Sequence, residues 1–69
     1  MTLEDYRRLC GWSRNELARQ AGTDSGTVGK ALRGQLISIT TAHKLALAIS
    51  KALDRSVQWQ EIDGLKVKL

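Results

Sequence analysis

Apolar residues recur along this chain at helical spacing and then, near its C-terminal end, at strand spacing. Leu3, Tyr6, Leu9 and Cys10 fall at i, i+3, i+6 and i+7, the stripe of a short helix that Gly11 ends. Ser13-Arg14-Asn15-Glu16 then has the S-x-x-E form of a capping box, in which serine and glutamate satisfy each other's free backbone donors. The helix it opens turns Leu17, Ala18 and Ala21 inward and stops at Gly22. Asp24 is placed to cap the amide of Thr27 and start a third helix running to about Arg33. Val28, Ala31 and Leu32 form the apolar side of that helix, and Gly34 closes it. Residues 35–39 read as a loop tethered by Leu36, Ile37 or Ile39. From Thr40 or Thr41 a longer helix carries Ala42, Leu45, Ala46, Ile49 and Leu53 at three- and four-residue steps.

The last segment changes period. Two short runs flank Asp63-Gly64, a dipeptide favoured in type I′ hairpin turns. A β-hairpin there would pair Ile62 with Leu65, Gln60 with Val67 and Gln58 with Leu69. It would also set Glu61 against Lys66 and Trp59 against Lys68. The expected architecture is mainly α, with four to five helices and a C-terminal hairpin. Residues 1–55 form the helical domain and residues 56–69 the hairpin.

Composition narrows the function classes. With 42% hydrophobic residues the chain has the make-up of a folded domain, and at 69 residues it has room for one small core. No apolar stretch approaches the roughly 20 residues of a membrane span, and no signal-peptide pattern opens the chain. The one cysteine, Cys10, forms no internal disulfide and reads as a small buried residue; His43 is the only histidine and reads as a surface residue of the long helix. A zinc site would lack ligands, no metal, cofactor or small-molecule ligand is indicated, and the setting expected is a reducing cytoplasm. The serines lack a plausible histidine partner and no glycine-rich loop follows a strand, so catalysis is not expected. The net charge is +4, and Arg7, Arg8, Arg14, Arg19, Lys30 and Arg33 outnumber Glu16 and Asp24 between residues 7 and 34. Such a balance suits a polyanionic partner.

Two helices joined by a tight turn, the second of them short, are the arrangement that presents a helix to the DNA major groove. Ala18 is small where the helices must cross, Gly22 accommodates the turn, and Val28 anchors the second helix. On a helical projection Val28, Ala31 and Leu32 occupy an arc of roughly 100°, while Ser25, Gly26, Gly29, Lys30 and Arg33 oppose them with Thr27 on their flank. The outward side is polar, basic and small. Trp12, just before the Ser13 cap, is placed to staple the junction of the first two helices to the core.

The segment Ser13–Gly34, SRNELARQAGTDSGTVGKALRG, resembles the helix-turn-helix of the phage Cro/repressor and xenobiotic-response regulator family. The resemblance continues through TTAHKLALAISKAL and covers roughly residues 3–53. Its specific part is the spacing of Leu17-Ala18, Gly22, Val28 and Gly34. The chain departs from the family pattern at Arg14, often glutamine there, and at Ala31-Leu32, often a bulky residue followed by glutamate. The resemblance implies a lambda-repressor-like fold with Asp24, Ser25, Gly26 and Lys30 facing base edges. It also implies that Arg14, Asn15, Thr27, Arg33 and Gln35 meet the phosphate backbone. With two glycines on the reading face, direct readout looks sparse, so DNA shape should supply part of any specificity.

The function expected is that of a sequence-specific transcriptional regulator, a repressor or Cro-like protein of a phage or mobile element acting on double-stranded operator DNA. An antitoxin-type autorepressor and a protein-interaction module without DNA binding are the alternatives. A single reading helix covers one half-site, so a homodimer is expected; Trp59, Leu65, Val67 and Leu69 of the hairpin are its candidate contact surface, the alternative being that the hairpin folds back over the domain's own core.

Overall fold

Each α-helix begins on the side chain placed just before it. In the computed structural model, which describes residues 1–69, Thr2 caps α1 (Leu3–Cys10), Ser13 caps α2 (Arg14–Ala21), Asp24 caps α3 (Ser25–Leu32) and Ser38 caps α4 (Ile39–Leu53). Each accepts a hydrogen bond from the amide three residues on, at 2.6–3.1 Å. The reciprocal box forms at α1, where the Thr2 amide donates to Asp5 Oδ2 at 2.9 Å. At α2 only half of the expected box is made. Ser13 accepts from the Glu16 amide, but the Glu16 carboxylate turns instead to Arg19 at 2.6 Å and Gln20 at 2.7 Å. Because Ser38 supplies the cap, α4 starts at Ile39, ahead of the expected threonines.

The helices enclose one core. Leu17, Val28, Leu45 and Ile49 are its largest fully enclosed side chains, joined by Leu3, Tyr6, Ala31, Ala42, Val57 and Ile62. Leu9 lies at the edge of its stripe, about 120° around the helix from Leu3, and is exposed. Ile37 is the tether that buries between α3 and α4, while Leu36 and Ile39 stay exposed. That tether is a strand rather than a loop: β1 (Leu36–Ser38) pairs in parallel with β2 (Lys66–Lys68), Leu36 opposite Lys66 and Ser38 opposite Lys68.

The expected C-terminal hairpin is therefore corrected. A turn does form over Ile62–Leu65, closed by the Leu65 amide on the Ile62 carbonyl at 3.4 Å, with Gly64 at φ +77°. A type I′ turn also needs positive φ at the residue before that glycine, and Asp63 does not have it. The chain consequently does not double back on itself. Trp59–Glu61 winds into a 3₁₀ turn, and Glu61, expected to face Lys66, accepts from the Gln58 amide at 2.6 Å. Ile62 enters the core, the Asp63 amide donates to the Met1 carbonyl at 2.9 Å, and β2 takes β1 as its neighbour.

One hydroxyl ties the C-terminal segment to α4. Ser50 Oγ accepts from the Val57 amide at 2.9 Å and has the Ala46 and Val57 carbonyls within reach as acceptors for its own proton, at 2.7 and 3.1 Å.

Candidate nucleic-acid interface

The turn between α2 and α3 is three residues long, and its geometry follows from Gly22. At φ +70° this residue sits in the left-handed region, where a side chain would be strained, and it lets the Thr23 amide reach back to the Ala18 carbonyl at 2.9 Å. Ala18 and Ala21 are buried on one side of the junction, Val28 and Ala31 on the other. Two short helices are thus locked together with both N-termini exposed.

Those N-termini leave amides open. At α2 the Glu16 and Leu17 amides are taken by the side chain and carbonyl of Ser13; at α3 the Thr27 and Val28 amides are taken by Asp24 in the same way. The amides of Arg14 and Asn15, and of Ser25 and Gly26, precede any intrahelical acceptor. Their residues are exposed, and amides so placed favour anions. Asp24 has a double character. Its hydrogen bonds from Thr27, with the charge of Lys30 nearby, hold its carboxyl below the usual range, so it is an anion spent largely on capping the helix.

Along α3, Ser25, Gly26 and Lys30 are exposed as the helical projection requires, with Thr27 half-buried; Arg33 and Gln35 follow, both exposed. Gly29 is different. It lies on the outward arc yet is buried, because the side chain of Arg33 folds back one turn and covers it. The signal for this was a glycine four residues before a long basic side chain, the spacing at which helix neighbours meet.

The cations divide into two sets. Arg7 and Arg8 are held by Glu4, and Arg19 by Glu16. The guanidinium of Arg7 on Glu4 is the main reason that the Glu4 carboxyl is lowered to about 2. Of the helix-turn-helix cations, Arg19 is thus paired within α2, whereas Arg14, Lys30 and Arg33 engage no carboxylate. The positive charge counted along residues 7–34 is thus half neutralised locally, and what remains open lies at the first turn of α2 and the outward side of α3.

Of the four residues expected to dimerise, Leu65 and Val67 are half-buried against the core, as is Trp59, and Leu69 is exposed. Cys10 is half-buried, and burial raises its thiol pKa, the opposite of what a reactive cysteine needs. His43 is exposed, and no group of His, Cys, Asp and Glu side chains is arranged to hold a metal ion. No helix is long and apolar enough to cross a membrane.

Comparison with known proteins agrees with this geometry. A family model described as helix-turn-helix matches residues 3–60. Neither the curated proteins nor the solved structures contain a match. The chain belongs to that helix-turn-helix family, whose domains bind DNA in transcription regulators and which is not a family of enzymes.

Proposed function

We propose that this protein is a sequence-specific transcriptional regulator, of repressor or Cro-like action, that reads operator DNA with α3 in the major groove. The observation that carries this reading is the division of charge. Arg14, Lys30 and Arg33 are open to solvent and four amides are open at the N-termini of α2 and α3, whereas Arg7, Arg8 and Arg19 are tied to carboxylates of their own helices. In this reading Ser25, Gly26 and Lys30 meet base edges, together with whatever Asp24 has left over from capping. Arg14, Asn15, Thr27, Arg33 and Gln35 hold the phosphates on either side.

A two-fold dimer belongs to the same reading, because one short helix contacts only one half-site. Trp59 stands beside an open groove of about 460 Å³ lined also by Leu47, Val57 and His43, and Leu47 is 57% exposed. That groove is our candidate for the surface that meets a second copy.

Titration of the full chain against random-sequence duplex DNA at several salt concentrations tests the proposal. Binding should weaken steeply and linearly on a log–log plot, with one unit of slope for roughly each phosphate neutralised. Selection from a random pool should then enrich a palindrome. Absence of binding, or binding indifferent to salt, would turn the small face of α3 into a protein-docking surface instead.

A further inference from the structure

The parallel pairing of β1 with β2 has an outer face that the helix-turn-helix does not use. The register puts Leu36, Ser38, Lys66 and Lys68 on that face, all exposed, and turns Ile37 and Val67 toward the core. Neither lysine touches a carboxylate. The face is also continuous with the reading helix. Arg33, Gly34 and Gln35 run directly from α3 into β1, and the backbone of Gly34 passes close to the Gly64 carbonyl, two residues before β2. Paired strands lie about 4.8 Å apart, so Lys66 stands one strand-width from Leu36, three residues beyond Arg33.

Resting on the reading of α3 as a DNA-binding helix, we propose that Lys66 and Lys68 form a second phosphate-contacting surface. It carries the interface from the C-terminal end of α3 onto the backbone flanking the base pairs that α3 reads. The charge of the face selects this occupant over a second copy of the chain. Two β2 strands paired antiparallel about Val67 would set Lys66 against Lys68 of the other copy, twice, and like charges directly opposite destabilise a ladder. A polyanion meets both lysines with no such cost. The strand thus presents alternate residues to two tasks: Val67 holds it to the core while its neighbours face outward.

The test compares the wild-type chain with the Lys66→Ala/Lys68→Ala double variant on random-sequence and selected duplexes. A Lys51→Ala/Arg55→Ala control removes the same charge from the last turn of α4 and the residue just past its cap, about 20 Å along the helix from its start at β1. The expected result is a salt dependence shallower by about 1.8 log units per log unit of salt in the sheet variant, about 0.9 for each lysine, and equal on all sequences. Thermal melting of that variant should match the wild type. In the wild type, bound DNA should also shield Lys66 and Lys68, but not Lys51, from an amine-reactive reagent, a readout that does not depend on how any variant folds. An unchanged slope, an equal loss in the control, or lysines left reactive in the complex would each overturn the inference while leaving the α3 reading intact. Failure of the wild type to bind DNA at any salt concentration would overturn that reading instead.

Discussion

The guanidinium of Arg33 lies over Gly29: a methyl group at Gly29 would stand 3.2 Å from Arg33 Nη1. The glycine is therefore a seat for a cation on the outward side of α3, at the cost of a residue poor in helix propensity mid-helix. Gly29→Ala should pull the two effects apart. Alanine gains up to about 1 kcal/mol of helix propensity, and the atom it crowds is the far end of a flexible side chain that can move cheaply. Thermal melting should show a stability equal to or above that of the wild type. DNA affinity should fall because Arg33 is displaced. A variant that is more stable and binds DNA undiminished would show that the seat has no role in binding.

Lys30 and Arg14 are both open cations, but their positions assign them different work. In the proposed reading Lys30, on the outward side of α3, faces a base edge such as guanine, and Arg14, the first residue of α2, faces phosphate. Lys30→Ala should cost about 1–3 kcal/mol of discrimination between the selected operator and a version altered at one base pair. Arg14→Ala should lower affinity for all sequences alike and reduce the salt slope by about 0.9. Parallel binding titrations on three duplexes (operator, altered operator and random sequence) separate the two. Equal loss of preference in both variants would mean that α3 is docked differently.

Most of the helix-turn-helix was legible because its signals are local; the exceptions, the Glu16 carboxylate and Gly29, turn on which neighbour a long side chain reaches. The Ser13 and Asp24 caps, Gly22 in the turn and the inward row Leu17, Ala18, Val28 and Ala31 each act within a few positions of the backbone they shape. The C-terminal segment was not legible for the same reason in reverse. Asp63-Gly64 marked a turn correctly, but which strand β2 joins depends on Leu36–Ser38, about thirty residues earlier. Alternation alone cannot tell a parallel partner at that distance from an antiparallel one next door. Charge was misjudged in a similar way. Counting cations between residues 7 and 34 overlooked Glu4, just outside that window, which holds both Arg7 and Arg8.

Acid should unfold the protein through carboxyls whose native pKa values are depressed. Glu4 is lowered from 4.5 to about 2, first by its hydrogen bond from Arg7, and Asp5, Glu16 and Asp24 are lowered by hydrogen bonds from their neighbours. A carboxyl held below its unfolded value contributes stability that is fully present above the unfolded pKa and is lost as pH falls through the native one. For Glu4 that window runs from pH 4.5 down to about 2. The Tm should be nearly flat above this range and decline across it. Glu4→Gln should lower Tm at pH 7 and decline less steeply in acid, so the two curves converge at the acid end. Parallel curves for the two proteins would show that the Glu4–Arg7 pair does not contribute to the acid response.

The C-terminal segment reaches the sheet only after passing Ser50, and that contact offers a way to loosen β2 without touching it. The Val57 side chain is in the core, and its amide has the Ser50 hydroxyl as its acceptor at 2.9 Å. Removing the hydroxyl leaves a part-buried donor unsatisfied, which costs about 1–3 kcal/mol. In a small domain with little stability to spare this is a large fraction of the total. Ser50→Ala should therefore lower the urea midpoint measurably. Amide exchange should accelerate first at Val57, Ile62 and Val67, while Leu17 and Val28 in the helix-turn-helix follow only with global unfolding. If protection is lost uniformly instead, the segment from Val57 to Lys68 unfolds only with the rest of the core, and the Ser50 bridge is one contact among many rather than its clasp.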